Sequence, residues 1–406
     1  MHNLKIDGDR LWNSILETAA FGGTPDGGVR RLTLSEEDRA VRDWFRRKAE
    51  SLGCRVSIDA VGNMFAVRPG SDAEALPIAI GSHLDTQPTG GKFDGILGVL
   101  AGLEILQTLQ DAGYQTRRPL MVVNWTNEEG ARFSPAMLGS GVYAGVFDRS
   151  YAESRVDADG ISFSDAIEAI DYRGGTPIGE PRFAAMFELH IEQGPVLERE
   201  AFDIGAVTGV QAMRWYDLVI TGRESHAGST PMDMRQDALA DAASLILAAQ
   251  DIARRHGGMA TTGQIGITNP SRNVIPGKVT MSLDLRHEND DTLQAMEHDV
   301  RTAMHRQCGE RALLTTIWDS PAVHFDAGCL AAIRDGAAAA GASHRDIVSG
   351  AGHDSVYISR VASTAMIFVP CKDGLSHNPA ESATREQCTL GAQTLLNAVL
   401  AYGEQQ

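Results

Sequence analysis

Cysteine is scarce and scattered in this chain. There are five (Cys54, Cys308, Cys329, Cys371 and Cys388), an odd number with no C-x-x-C pair among them. That pattern argues against a disulfide framework and a thiolate zinc knuckle, and a reducing cytoplasm is the expected compartment. Long apolar runs are missing as well: nothing approaches about 18 consecutive apolar residues, so no membrane span is expected. The opening MHNLKIDGDRLW lacks the apolar core of a secretory signal. Basic charge is in short supply, with 36 Lys and Arg against 53 Asp and Glu and a formal net charge of −17. Nucleic acids and anionic membranes reward a basic face, so neither is expected as a partner. Internal repeats and low-complexity tracts are also lacking.

The composition that remains is 43% hydrophobic and 22% charged, which excludes wholesale disorder. At about 150 residues per domain, a chain of 406 residues has room for two or three. Apolar spacing predicts a helix over 9–20. Ser35, with Asp38 three residues on, predicts a capped helix running to residue 52. Short apolar strands follow at 54–58, 64–67, 77–80, 120–125 and 184–189, with a helix over 96–112. This alternation predicts an α/β domain around a buried sheet. Near residue 210 the pattern changes. Strand 216–221, helix 234–256, strands 262–268 and 279–286, helix 292–307 and strand 313–318 form a β-α-β-β-α-β series of the ferredoxin-like kind. Helix 327–341, strand 364–369 and helix 384–402 then resume the α/β pattern. Residues 1–210 and 321–406 are therefore read as two parts of one catalytic domain, interrupted by an α+β insertion at 211–320.

Metal-ligand side chains gather in five short motifs: GSHLD with His83 and Asp85, GKFDG with Asp94, NEEG with Glu128 and Glu129, ELHIEQ with His190, and SHNP with His377. All but the Asp94 motif stand at or just after predicted strand ends, which converge on one rim of an open α/β sheet. Histidine and carboxylate without thiolate suit Zn²⁺, Mn²⁺, Co²⁺ or Ni²⁺. Three His and two carboxylates are too many for one catalytic ion with an open position, but fit two ions sharing a carboxylate. One of the adjacent pair Glu128 and Glu129 can bind metal while the other takes a proton from water. Asp85, two residues after His83, is expected to hydrogen-bond the His83 imidazole through its side chain.

The strings GSHLDT, GGKFDGILGV, TNEEGARF, ELHIEQGPVLE, ESHAGSTPM, LDLRH, GAGHDS and CKDGLSHNPAE run over nearly the whole chain. Together they resemble the amidohydrolase branch of the M20 metallopeptidase clan, the hydantoinase/carbamoylase family. That family holds N-carbamoyl-L-amino-acid hydrolases, β-ureidopropionases and allantoate amidohydrolases. The resemblance implies a zinc-exopeptidase-like catalytic domain with a mixed central sheet, and a ferredoxin-like lid that also makes a homodimer. It implies two divalent ions per subunit, one held by His83, Asp94 and His190, the other by Asp94, Glu129 and His377, with Glu128 as general base. His190 stands where the peptidase branch has a carboxylate, which favours the amidohydrolase branch. It further implies that His226 stabilises the scissile carbonyl oxygen, often from the neighbouring subunit, and that Asn273 and Arg286 hold the substrate carboxylate. Gln193, Gln211, Gly352 and His353 match pocket positions.

Arg286 also fits from the residues alone, since it alternates with Ser282 and Asp284 on the polar side of its strand and Arg grips carboxylates bidentately. Two divalent ions offset by Asp94, Glu129 and a hydroxide leave about one positive charge, a local attraction for an anionic substrate in an acidic protein. The expected reaction is hydrolysis of an N-carbamoyl-L-amino acid to amino acid, CO2 and ammonia. Allantoate or N-carbamoyl-β-amino acids are the near alternatives, and a non-catalytic metal-binding protein on the same fold is the distant one. The apparent free base among Glu128 and Glu129 speaks against the last.

Overall fold

A computed structural model describes residues 4–405. These divide into two compact units: the residues up to Gly209 together with those from Phe325 onward, and the segment Val210–His324.

The first unit is built on β1 (Arg55–Ile58), β2 (Met64–Arg68), β3 (Ile78–His83), β4 (Leu120–Trp125), β5 (Ala185–Ile191), β6 (Ile204–Val210) and a late strand, Ser363–Val369. Their order is β1-β2-β4-β3-β5, then Ser363–Val369, then β6, and strand His344–Ser349 also pairs with β6. The central four, β4, β3, β5 and Ser363–Val369, are mutually parallel, while β1, β2 and β6 run antiparallel to their neighbours. β3, β4 and β5 are buried along their whole length, as parallel strands covered on both faces must be. Helix Ile96–Asp111 packs on these strands, and helices Ala327–Ala340 and Arg385–Gln405 pack on each other and on Ser363–Val369. The fold is mixed α/β.

Local chemistry explains the helix starts. Asp7 accepts from the Arg10 amide and opens helix Gly8–Thr18. Ser35 Oγ accepts from the Asp38 amide at the start of Glu36–Ser51, while the Asp38 carboxylate reaches back to the Leu34 amide at 2.7 Å. Asp38 then pairs with Arg42 one turn later at 2.8 Å, both side chains fully buried.

The second unit holds β7 (Ala212–Thr221), β8 (Ser225–His226), β9 (Met259–Thr261), β10 (Ile265–Ile267), β11 (Val274–Ile275), β12 (Lys278–His287) and β13 (Ala312–Ser320). Its main sheet runs β10-β12-β7-β13, each pair antiparallel, and β9 also pairs with β12. With helices Ala238–His256 and Asp290–Cys308 in the two crossovers, this is a ferredoxin-like arrangement. Leu218, Ile220, Val279, Met281, Leu283 and Leu285 supply the sheet side of one core, and Leu245, Ala249, Ile252, Leu293 and Met296 the helix side.

Two expectations are corrected here. The helix expected from residue 234 starts at Ala238, because Asp237 caps it by accepting from the Leu239 and Ala240 amides. The strand expected over 262–268 is shortened to Ile265–Ile267, because Ser282 Oγ takes the Gly263 and Gln264 amides ahead of it; a separate short strand, Met259–Thr261, precedes them. All five cysteines are free and buried. Among the described residues, no helix is long and apolar enough to cross a membrane.

Candidate active site

The carboxyl ends of the four parallel strands share one edge of the first unit's sheet, with His83 paired to Trp125 and His190 to Phe368. Ligands of open α/β sheets bind at such an edge. Apolar spacing ends two of these strands at residues 80 and 189, but the ladder continues to His83 and His190. Both imidazoles are thus held by strand backbone rather than by loops. Glu128 and Glu129 follow β4 through Asn127, which turns the chain at a positive φ of 61°. Asp94 closes the loop that leads into helix Ile96–Asp111. Gly95 beside it also has positive φ, and a Cβ there would stand 2.2 Å from the His83 ring, so only glycine lets this loop lie against the imidazole.

Asp94 is the centre of the cluster. Its Oδ1 is 3.4 Å from His83 Nε2 and 3.3 Å from His190 Nε2, and its Oδ2 is 3.5 Å from His377 Nε2. His377 Nε2 is also 3.4 Å from Glu129 Oε2. The donor atoms of His83, Asp94 and His190 lie within 4.8 Å of one another, as do those of Asp94, Glu129 and His377. Glu128 belongs to neither trio, and its Oε2 is 3.4 Å from His83 Nε2. A third trio, Glu188, His190 and His353, shares His190 with the first and is buried.

Hydrogen bonds assign the ring tautomers. His83 Nδ1 is 2.9 Å from the Asp85 carbonyl and His190 Nδ1 is 2.8 Å from the Ile191 carbonyl. A carbonyl only accepts, so both Nδ1 atoms carry a proton; both Nε2 atoms face Asp94, and that of His190 also accepts the Gly95 amide at 3.1 Å. This corrects the expected role of the Asp85 side chain. Its carboxylate is 3.9 Å from His83 Nδ1 and instead accepts the Glu128 and Glu129 amides, each at 3.3 Å. The main chain of Asp85 orients the histidine, while its side chain fixes the turn carrying the two glutamates.

The sequence reading missed several supports. Gln87 holds Glu129 at both oxygens, through its backbone amide at 3.1 Å and its Nε2 at 2.7 Å. Ser376 Oγ is 2.9 Å from Asp94 Oδ2 and 2.8 Å from Glu381 Oε2. Glu188 accepts from Ser82 Oγ at 2.7 Å and from Ser355 Oγ at 2.5 Å. Ser376 and Glu381 stand in the same CKDGLSHNPAE string as His377, so spacing from a ligand was the available signal. Gln193, expected in the pocket, donates to Asp94 Oδ2 at 2.7 Å. His353 packs edge-on to His190 at 4.7 Å between ring centroids and is 3.0 Å from Ser349 Oγ. Gly352 lies beside Met137.

Burial, then the charge of Asp94, pushes Glu129 well above the usual carboxylate range. Burial also pushes Glu128 well up, against the pull of His83 and with the help of Asp354. Burial opposes ionisation of Asp94 too, but His190 and His83 hold it well below that range. Burial works against a charged His83, yet Glu128 and its neighbours raise the ring well above its ordinary value. Cys371 donates its thiol to the Leu375 carbonyl at 2.9 Å, and burial pushes it up to about 12, so it offers no thiolate. Imidazole nitrogens gathered around a buried carboxylate shared by two trios form a donor set that fits divalent cations of borderline or hard character.

The remaining expected residues belong to the second unit. His226 Nδ1 accepts from the Gly228 and Ser229 amides at 3.1 and 3.2 Å, which leaves the proton on Nε2 as a neutral donor. Its neighbour across the β8–β11 pair is Val274, and the Asn273 carbonyl accepts from the Ala227 amide at 2.9 Å, so His226 and Asn273 are local neighbours. Arg286 Nε and Nη2 grip the Asp284 carboxylate at 3.0 and 2.8 Å. Gln211, the residue joining β6 to β7 along the chain, is buried.

Residues 79–401 match the profile of Peptidase family M20/M25/M40. An N-carbamoyl-L-amino-acid amidohydrolase of Rhizobium meliloti is 44% identical over 99% of this chain and 98% of its own. An allantoate amidohydrolase of Bacillus subtilis is 33% identical over 95% of each chain. The crystal structure of a hydantoinase/carbamoylase family amidase from Burkholderia multivorans aligns with a TM-score of 0.95 at 48% identity, covering 99% of both chains. The chain belongs to the M20 family, in its hydantoinase/carbamoylase branch, and is a hydrolase of C–N bonds.

Proposed function

We propose that this enzyme hydrolyses the carbamoyl C–N bond of N-carbamoyl-L-amino acids. The observation that supports this reading is the Asp94 carboxylate shared by two His/carboxylate trios, with Glu128 beside them and outside both. His83, Asp94 and His190 would hold one divalent ion, and Asp94, Glu129 and His377 the second. Such ions, when bound, acidify water and polarise a carbonyl. Glu128 accepts a proton from the attacking water as its oxygen bonds to the carbamoyl carbon. It returns that proton to the substrate nitrogen as the C–N bond breaks. The products are the free amino acid and carbamic acid, which falls apart to CO2 and ammonia. His226, a neutral Nε2–H donor, suits the oxygen of the carbonyl under attack. Gln211, Asn273 and Arg286 are read as substrate contacts.

A panel of N-carbamoyl-α-amino acids, N-carbamoyl-β-alanine and allantoate, assayed for ammonia with Mn²⁺, Co²⁺, Ni²⁺ and Zn²⁺, tests the reading. The N-carbamoyl-L-amino acids are expected to give the highest kcat/KM. A preference for allantoate, as the Bacillus subtilis relative's name would suggest, transfers the same machinery to that substrate, and no turnover of any of them overturns the assignment.

Arg286 carries a second expectation. Its planar fork already serves Asp284, and a second carboxylate needs the same fixed plane. Arg286→Ala should weaken substrate binding by roughly 2–5 kcal/mol. Arg286→Lys should fall between, because lysine keeps the charge and loses the fork. Metal content should be unchanged in both. An unaltered KM in the alanine variant removes Arg286 from the substrate site.

A further inference from the structure

We infer that Glu381 is a positioning residue that locks the Asp94 loop to the His377 loop, so that both ion positions form together; this rests on the two-ion reading above. Glu381 is only 4% exposed. Its Oε1 accepts the Phe93 and Asp94 amides, both at 3.1 Å. Its Oε2 accepts Ser376 Oγ at 2.8 Å, and that hydroxyl is also 2.9 Å from Asp94 Oδ2. Its own amide donates to the Asn378 carbonyl at 3.0 Å. One carboxylate therefore grips the backbone of the shared ligand and, through Ser376, the residue next to His377.

The two loops need such a grip. His83 and His190 are fixed by strand ladders, but His377 sits on a loop at a positive φ of 54°, with a side chain 48% exposed. Ordering a free loop opposes ligand binding unless the protein has already done it. Gly91 reports independently on the same contact. A Cβ on it would meet Oε1, Cβ and Cδ of Glu381 at 2.2–2.4 Å, and these are its three nearest atoms. Gly91 is not among the positive-φ glycines, so alanine there strains no backbone dihedral and acts by displacing Glu381.

The test compares Glu381→Ala, Glu381→Gln and Gly91→Ala with the wild-type chain. In metal-stripped protein, hydrogen exchange of the Phe93 and Asp94 amides should quicken in Glu381→Ala and Gly91→Ala. It should stay slow in Glu381→Gln, whose Oε1 still accepts both amides and whose Nε2 donates to Ser376. In Mn²⁺ titrations the wild type should bind two ions per chain. Glu381→Ala and Gly91→Ala should bind the ion that needs His377 at least about tenfold more weakly, while Glu381→Gln restores it. Wild-type exchange in both Glu381→Ala and Gly91→Ala, or two ions bound by them with wild-type affinity, overturns the inference. A wild type that binds fewer than two ions overturns the two-ion reading instead, and the exchange data then decide on the lock alone.

Discussion

Glu128→Gln should retain full metal content and a wild-type Tm while kcat falls by on the order of 10²–10⁴. The backbone around Glu128 is fixed independently of its side chain. Its amide is held by Asp85 and its carbonyl accepts the Met137 amide at 2.7 Å. Glutamine has the same shape, so the turn after β4 should persist. What is lost is the ability to accept a proton from water. The neighbouring substitution separates the two roles. Glu129→Gln sets an amide NH2 against the Gln87 Nε2 donor and removes a charged oxygen from the Asp94–Glu129–His377 trio. It should lower metal content, and excess metal should recover part of its activity. Elemental analysis beside kcat for both variants is the check. Near-normal kcat in Glu128→Gln moves the base elsewhere, and full metal content in Glu129→Gln removes Glu129 from the ligands.

Much of this was legible in the residues where the signal is local. Ser35 and Asp38 announce a helix start because capping acts over three residues, and the alternation of Val279, Met281, Leu283 and Leu285 marks a sheet face with a period of two. The clustering of His83, Asp94, Glu129, His190 and His377 was legible because β3, β4, β5 and Ser363–Val369 are parallel, and parallel strands bring their carboxyl ends to one edge whatever their separation in sequence. Strand β6 was missed because Gly205, Thr208 and Gly209 dilute its apolar run. Contacts fixed only by tertiary packing were missed for a different reason. Glu381 meets the Asp94 amide across 287 positions, and no periodicity encodes such a pair. Asp85 was placed correctly in space and wrongly in role, since sequence spacing does not distinguish a carbonyl from a carboxylate as the partner of His83.

Removing the ions should abolish turnover without unfolding the protein, and restoring Mn²⁺, Co²⁺, Ni²⁺ or Zn²⁺ should bring turnover back. The fold should survive because the cluster stands on the rim of a sheet whose strands are held by their own ladders and buried side chains. Far-UV circular dichroism should therefore not change. Thermal stability should fall, because the side chains of Asp94, Glu128 and Glu129 are buried together and a bound cation opposes their mutual repulsion. Any ion that binds only the folded chain adds stability by mass action, about 2.7 kcal/mol per site at a free concentration 100 times Kd. Tm should accordingly rise with added metal. It should respond less in Glu129→Gln, which lacks a ligand, than in Glu128→Gln, which keeps them all. Full activity in protein shown by elemental analysis to be metal-free would end the two-ion reading. A Tm indifferent to every cation tried would show that these carboxylates are arranged for something other than metal.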